Sequence, residues 1–326
     1  MFRLRQFRVL MCLTLVEAIR QPIFLILTTT CILLSGLAPL LLLHNFGENG
    51  KLARDGALAF HFVFGIFVTV YASSTALARE IKSGTASAVL SKPVDRDLFF
   101  LAKFAGIALT TILFSLCCTM ATLISEKISE KFISNEVIQG YFTDYSTAIM
   151  FMLSPAIAFG IAGIMNYRSK RPFTSTAFIM LMITLAVVAG ISGFFNEGGF
   201  IHEYQLRFNL NILPASALIT IALAILSAMA ISFSTRLSAV PTLILVTIIF
   251  VIGMMSEYLF MRHPSAIGTI FYNIIPDWQN FWLCDALSGG GSIPWTYAAK
   301  TFIYAALYSS AVLCIGMISF RNTEMK

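Results

Sequence analysis

Eight long apolar stretches dominate the hydrophobic pattern of the chain. They cover approximately residues 22–43, 56–78, 99–123, 146–165, 173–195, 213–233, 239–260 and 301–320. Each stretch supplies the roughly 20 residues that a helix needs to cross a hydrocarbon layer about 30 Å thick. Such runs predict helices, because an isolated strand cannot satisfy its backbone in lipid. The alternating segments that mark outer-membrane barrels do not occur. The pattern predicts an all-α polytopic membrane protein with about eight transmembrane helices.

The composition excludes a soluble protein. Of the 326 residues, 58% are hydrophobic and 12% are charged, and the mean hydropathy is +0.83. Soluble domains carry about 25% charged residues. The net charge of +6 does not indicate nucleic-acid binding, since Lys and Arg concentrate in the cytoplasmic loops of membrane proteins. The six cysteines form neither a metal-binding spacing nor a candidate disulfide pair.

Residues 1–21 differ from the eight stretches. Four arginines, at positions 3, 5, 8 and 20, interleave with apolar residues. A secretory signal is disfavoured, because the apolar stretch is short and no A-x-A-like cleavage site follows it. We predict an amphipathic helix lying in the cytoplasmic interface, with Pro22 at the turn into the first span. Residues 22–326 are predicted to form one transmembrane domain.

The distribution of basic residues predicts that both termini are cytoplasmic. With the amino terminus inside and eight spans, the inner segments together with Lys103, just within the third span, carry 15 of the 22 Lys and Arg residues. This bias agrees with the positive-inside rule. The basic loop 166–172 is the clearest anchor of this topology.

Few residues indicate chemistry carried by the chain itself. No phosphate-binding G-x-x-x-x-G-K-[ST] loop occurs, so ATP hydrolysis by that route is not expected. The stretch 190–193 matches the G-x-S-G pattern of rhomboid-type proteases, but Ser192 would need a histidine base within hydrogen-bond reach. We therefore interpret Ser192 as a packing residue. Lys103 and Glu257 lie near span ends, where their charges can reach water, so an ion-coupled carrier is a minor alternative.

The cytoplasmic segment 79–98 is the most informative part of the sequence. The second helix can continue past the membrane to about Ser83, where Gly84 can end it. Thr85 can cap a short helix to about Leu90, and Pro93 follows it. The segment therefore predicts a helix, a turn and a short helix between two membrane spans. An ordinary hydrophilic loop is the alternative.

This segment resembles the cytoplasmic loop of ATP-binding-cassette (ABC) transporter permeases of the second class, which is typical of exporters. The likeness lies in an E-x-x-x-G-T motif and, after a short apolar helix, L-S-K-P-V-x-R. The stretches 233–236 and 273–281 resemble two further parts of that family, in the right order. The family core has six spans, so 146–165 and 173–195 are predicted to be an additional pair.

The resemblance implies a function and partners. In that family the loop docks on a separate ATPase subunit, and two permease chains form the transport pathway. ATP and Mg²⁺ would bind to the partner ATPase, and this chain would bind no cofactor or metal. The implied location is the cell (inner) membrane, with membrane lipid around the chain and no nucleic acid. The residues carried over as the docking and coupling loop are Glu80, Gly84, Thr85, Leu90, Lys92, Pro93 and Arg96.

An external segment before the last span is a second candidate site. Pro276 and Asp277 can start a helix, which would place Trp278, Phe281 and Trp282 on one face. These aromatics would form either an interfacial anchor or a gate at the outer exit. Pro276 and Asp277 belong to the same candidate site.

The sequence as a whole predicts the permease subunit of an ATP-driven exporter. Its first alternative is a permease-like mechanical transducer of an envelope complex, which would use the same loop but move no solute. An ion-coupled transporter and a membrane enzyme are the remaining alternatives.

Overall fold

The computed structural model describes residues 2–41, 50–82, 94–134, 139–196, 201–205, 207–261 and 266–322. The α-helices are α1 (Phe2–Ile19), α2 (Pro22–Leu41), α3 (Lys51–Ser73), α4 (Arg79–Lys82), α5 (Arg96–Ile128), α6 (Tyr145–Ser169), α7 (Phe173–Ser192), α8 (Ile212–Phe233), α9 (Ala239–Met254), α10 (Ala266–Ile274) and α11 (Trp295–Arg321). A π-helical segment (Ser74–Ala78) joins α3 to α4, and another (Glu257–Met261) follows α9. The prediction of an all-α polytopic membrane protein is confirmed.

Seven of these helical segments are long and apolar enough to cross a membrane. They correspond to seven of the eight predicted stretches. The stretch 239–260 instead gives α9, which has 16 residues and a length of about 24 Å at 1.5 Å per residue. The α-helix ends at Met254, and the π-helical segment Glu257–Met261 follows after a short break.

Helix α8 forms the centre of the bundle. It packs against α3, α5 and α11, and most of its residues are buried. Its sequence alternates large residues with alanine and serine, and small residues let neighbouring helices approach closely in a membrane. Ser227, Ser232 and Ser234 donate hydrogen bonds to carbonyl oxygens of their own helix. The hydroxyls therefore add few unpaired polar groups to the apolar centre.

The predicted additional pair forms a hairpin at the edge of the bundle. Helices α6 and α7 pack mainly on each other and less extensively on α2 and α5. Only a third of the apolar window of each is buried, against more than half for α2, α3, α5 and α8. The hairpin therefore adds to a bundle whose centre the other helices build.

The segment predicted as an amphipathic interfacial helix is helical but lacks a single apolar face. Helix α1 packs along the first turns of α5, where Gly106 approaches Thr14 so closely that a Cβ atom there would lie 2.6 Å from it. On the opposite side, Val9, Leu13 and Val16 are exposed. The apolar residues thus divide between a protein-facing and an outward-facing side, which the prediction of one apolar face missed.

Ion pairs and hydrogen bonds place both ends of the described chain at one end of the bundle. Arg3 pairs with Asp95 at 3.3 Å, and Arg321 pairs with Asp97. Arg236, after α8, donates to the carbonyl oxygen of Asn322 at 3.3 Å. We call this the basic end.

Helix α9 must therefore carry the chain back to the opposite end before α11 begins. Two hydrogen bonds join the segments that meet there. Gln279 Nε2 donates to the Met254 carbonyl oxygen at 3.2 Å, and Arg54 Nη1, near the start of α3, donates to that of Leu287 at 3.2 Å. Within the described residues, seven long helices and the shorter α9 therefore run between the two ends of the bundle, and the two ends of the described chain lie on one side, as predicted.

The opposite end also contains a feature that the sequence analysis missed. Strands β1 (Lys131–Ser134) and β2 (Gln139–Phe142) pair antiparallel, with Lys131 opposite Phe142. Below this hairpin, Lys127 Nζ lies 3.1 Å from Asp144 Oδ2, and both side chains are buried. Lys127 also donates to the Ser192 carbonyl oxygen. The pair joins the ends of α5 and α7 to the start of α6.

We predict that breaking this pair destabilises the protein. Asp144→Asn keeps a side chain that can cap α6 but leaves the buried Lys127 ammonium without its counter-charge. Removing one partner of a buried pair costs about 3–5 kcal/mol. The free energy of unfolding in detergent should fall by that order. Asp97→Asn, which removes one partner of an exposed pair, is the matched control and should change it little. Equal effects of the two changes would contradict the structural role of Lys127–Asp144.

Candidate functional site

The predicted coupling residues divide between described and undescribed parts of the chain. Glu80 lies in α4 and Arg96 begins α5. The remaining predicted residues fall outside the described residues, and these are Gly84, Thr85, Leu90, Lys92 and Pro93. The site can therefore be built from the two ends of the loop, where it leaves and re-enters the bundle.

The helix that leads into the loop changes from α-helical to π-helical geometry one turn before α4. The π-helical turn Ser74–Ala78 separates α3 from α4. Ser74 Oγ lies 3.4 Å from Ser234 Oγ, so this turn touches the end of α8. Single π-helical turns within α-helices are frequent at functional sites. The wider turn sets the direction in which α4 presents Glu80.

Glu80 is held by a lysine on the helix that leaves the loop. Lys103 Nζ lies 2.7 Å from Glu80 Oε1 and 3.5 Å from Glu17 Oε2 on α1. The Lys103 side chain is 1% exposed, against 20% for Glu80 and 45% for Glu17. Its ammonium also lies 5.5 Å from the centre of the Phe99 ring. We call Glu17, Glu80 and Lys103 the coupling triad.

Burial explains why Lys103 needs these neighbours. A buried ammonium loses its hydration, and that loss costs several kcal/mol unless opposite charges compensate it. Two carboxylates from two different helices provide the compensation here. Lys103 was expected to reach water at the mouth of its span. Instead it points into the protein and connects α1, α4 and α5.

A cleft opens beside the triad. It measures about 400 Å³, and Glu17 and Glu80 both contribute to its wall. The other walls come from α1, from the π-helical turn at Thr75 and from Arg79 at the start of α4. Water in this cleft can therefore reach the two carboxylates, while Lys103 stays covered.

The return of the loop is fastened as well. Arg96 Nη1 donates to the Arg321 carbonyl oxygen at 2.8 Å, and the Arg321 guanidinium binds Asp97. Asp95, one residue earlier, pairs with Arg3. Arg96 thus contacts the end of α11, in addition to beginning α5. Both ends of the loop are consequently tied to other helices of the basic end.

The second candidate site differs from its prediction. The expected continuous helix after Pro276 is replaced by two 3₁₀ helices, Trp278–Asn280 and Cys284–Gly290. Asp277 accepts a bond from the Gln279 amide at 3.0 Å and another from the Asn280 side chain at 3.0 Å. Such local side-chain bonds compete with a regular helix.

The aromatic residues of this segment face the protein. Trp278 and Phe281 are fully buried. The Trp278 ring centre lies 5.9 Å from that of Phe250 on α9, and Trp282 stacks on Phe62 of α3 at 6.1 Å. An interfacial anchor requires exposure to headgroups, which Trp278 and Phe281 lack. They fill the space between helices at the opposite end of the bundle.

The other residues that could carry chemistry, a serine and two cysteines, contact only other protein groups among the described residues. Ser192 Oγ is buried and donates to the Ala189 carbonyl oxygen at 2.8 Å. Cys31 and Cys118 are free thiols whose Sγ atoms lie 3.5 Å apart, a contact that their sequence spacing did not indicate. No group of three or more metal-ligating side chains occurs within the described residues.

Sequence reasoning missed Lys103 and Glu17 as parts of the site. The available signal was a lysine inside an apolar span, eight residues after Asp95, in a chain with few charges. Ionisable residues within spans usually face protein or water and pair with one another. The partner helix, however, follows only from the packing of α1 against α5.

Comparison with known proteins assigns the chain to a family. The family model described as ABC-2 family transporter protein matches residues 11–172. This range includes the coupling triad and both ends of the loop. No curated protein and no solved structure shows significant similarity to the chain. The match contains the segment between α4 and α5, and the described part of the chain has seven helices long enough to cross a membrane, so the chain belongs to the ABC-2 transporter family and is a multi-pass permease component of an ABC transporter.

Proposed function

We propose that the chain is the membrane subunit of an ATP-driven exporter, and that a separate ATPase subunit docks on the loop between α4 and α5. The observation that carries this proposal is the coupling triad. Glu80, three residues before the loop, is bound to Lys103 on the helix that follows the loop. A movement of the docked loop would therefore act on α5 directly.

The attachments on both sides of the loop support transmission of force. Before the loop, Glu80 contacts Lys103, and after it, Asp95 and Arg96 contact α1 and α11. A loop tied at one side only could absorb a displacement by local bending. A loop tied at both sides passes the displacement to the helices that hold it. ATP-driven closure of the partner ATPase would then shift α1, α4 and α5 together.

Several features of the proposal extend the family assignment. Two permease chains would enclose the pathway, because α8 fills the centre of a single chain. ATP and Mg²⁺ would bind to the partner ATPase. The basic end would lie in the cytoplasm and the bundle in the cell membrane.

Isolation from native membranes tests the partner. An ABC ATPase should accompany the tagged chain in roughly equal amount. Gly84→Val, at the glycine of the E-x-x-x-G-T motif, should reduce the bound ATPase without reducing membrane insertion. Gly163→Val on α6 is the matched control, since a Cβ atom there would meet no atom within 4 Å. A chain that carries no ATPase at any salt concentration would contradict the docking proposal.

Transport by the reconstituted complex separates the proposed exporter from a mechanical transducer. ATP-dependent movement of solute or lipid out of the cytoplasmic side supports export. A complex that hydrolyses ATP and changes an envelope activity without any flux would overturn the export proposal and leave the docking loop in place.

The triad predicts a separation of binding from stimulation. Lys103→Met leaves every residue of the proposed docking loop in place, so the ATPase should still bind. Glu80 and Glu17 would lose their shared cation, and stimulation of ATP hydrolysis by the permease should fall roughly tenfold, within the usual range for coupled sites. Lys103→Arg, which keeps the charge, should restore part of it. Arg171→Met removes an exposed cation and should have no effect. Full stimulation in Lys103→Met would contradict the role of the triad.

Ser192→Ala tests the protease alternative. Among the described residues, the Ser192 hydroxyl bonds only within its own helix turn, and Lys127 binds the carbonyl oxygen, which the substitution retains. Transport and ATPase stimulation should be unchanged. Loss of activity with normal folding would revive a catalytic role for Ser192.

A further inference from the structure

A groove between α8 and α11 runs along the surface at the basic end. It measures about 480 Å³, within the range of roughly 300–1,000 Å³ typical of small-molecule sites. Its apolar walls come from Met229, Phe233, Leu237, Val312 and Ile315. Ile315 is 68% exposed, so the groove opens to the surroundings of the bundle. Both walls belong to helices long and apolar enough to cross a membrane, so lipid would surround the groove.

The hydroxyl groups of the groove are used within the protein. Ser232 Oγ donates to the carbonyl oxygens of Ala228 at 2.8 Å and Val312 at 3.2 Å. Thr235 Oγ1 lies 2.8 Å from the Ser232 carbonyl oxygen and 3.0 Å from Ser319 Oγ. These bonds leave the interior of the groove apolar, which suits a hydrocarbon chain and not a polar solute.

Gly316 sets the depth of the groove. A Cβ atom at this position would collide with Ser232 Oγ and lie 2.8 Å from the Phe100 ring. The backbone of α11 therefore sits directly against α8 at the floor of the groove. The larger residues Val312 and Ile315 rise beside this contact and form a wall.

An arginine lies at the mouth of this groove. Arg236 is exposed, and its Nε and Nη2 atoms donate to Ser319 Oγ, the Ser319 carbonyl oxygen and the Asn322 carbonyl oxygen, each at 3.3 Å. These bonds hold the guanidinium in place. Its Nη1 atom bonds to none of the described residues. A fixed guanidinium with an open edge is suited to bind a phosphate group.

We propose that this groove binds an anionic phospholipid, with one acyl chain in the groove and the headgroup phosphate on Arg236. The charge is complementary in the orientation of the proposed function, on which this step rests: the basic end would face the cytoplasmic leaflet, whose surface is negative. The same guanidinium that binds the phosphate holds the end of α11, which is also where Arg96 and Asp97 fasten the coupling loop. The lipid would thus brace the end of α11 beside the loop.

Native mass spectrometry of the purified chain, exchanged into equal phosphatidylglycerol and phosphatidylcholine, tests the proposal. The chain should retain phosphatidylglycerol in preference. Arg236→Gln should reduce this retention about fivefold, the effect expected for one basic residue near an anionic surface. Arg171→Gln, in the basic loop after α6, is the matched control and should retain the lipid. Val312→Phe should also lose lipid, because it fills the groove while keeping the charge.

A second comparison separates a lipid site from a structural role of Arg236. Arg236→Lys keeps the charge but not the guanidinium bonds, so lipid retention should largely survive. If Arg236→Lys loses as much lipid as Arg236→Gln, the side chain of Arg236 only holds α11. Soluble glycerophosphate should not displace the lipid, and displacement would mean that the acyl groove contributes nothing. Equal retention of both lipids, or normal retention by Val312→Phe, would overturn the proposal.

Discussion

The burial of one ammonium group organises the basic end of this permease. Lys103 is almost completely covered, and its charge is compensated by Glu80 on α4 and Glu17 on α1. Loss of either carboxylate would weaken the compensation of this buried charge, so the triad helps to hold three helices together. The close approach of α1 to Gly106 and the contact of the π-helical turn with α8 lie at the same end of the bundle. A loop that begins three residues after Glu80 therefore emerges from a fixed platform.

The two ends of the bundle are built by different means. At the basic end, charged side chains join helices and hold both sides of the segment between α4 and α5. At the opposite end, the buried pair Lys127–Asp144 fixes the α6–α7 hairpin to α5, and aromatic rings around Trp278 fill the space beside α9. Between them, α8 contributes small residues and internally bonded hydroxyls. The two ends of the bundle thus differ in the kind of contact that holds their helices together.

The periodicity of the sequence predicted the fold class, seven of the long helices and the shared side of the termini, because apolar length and the positions of Arg and Lys are properties of the chain itself. A composite motif in the sequence, and not its periodicity, indicated the loop that follows Glu80. Periodicity failed where tertiary contacts decide. The end of α9 at Met254 and the two-sided packing of α1 depend on neighbours that no local pattern specifies. After Pro276, local bonds to the Asp277 side chain compete with the expected continuous helix. Lys103 was visible as a charge in a span, but its partners were not, since Glu17 is 86 residues away in the sequence.

A double-mutant cycle tests most directly whether Glu80 and Lys103 act as one unit in coupling. Stimulation of the partner ATPase would be measured for the unchanged chain, Glu80→Gln, Lys103→Met and the double variant, at equal amounts of bound ATPase. If the pair transmits the movement, the double variant loses no more stimulation than the more severe single variant, because the first change already breaks the connection. If the two losses multiply, the residues act independently, and the account of a coupling triad is wrong.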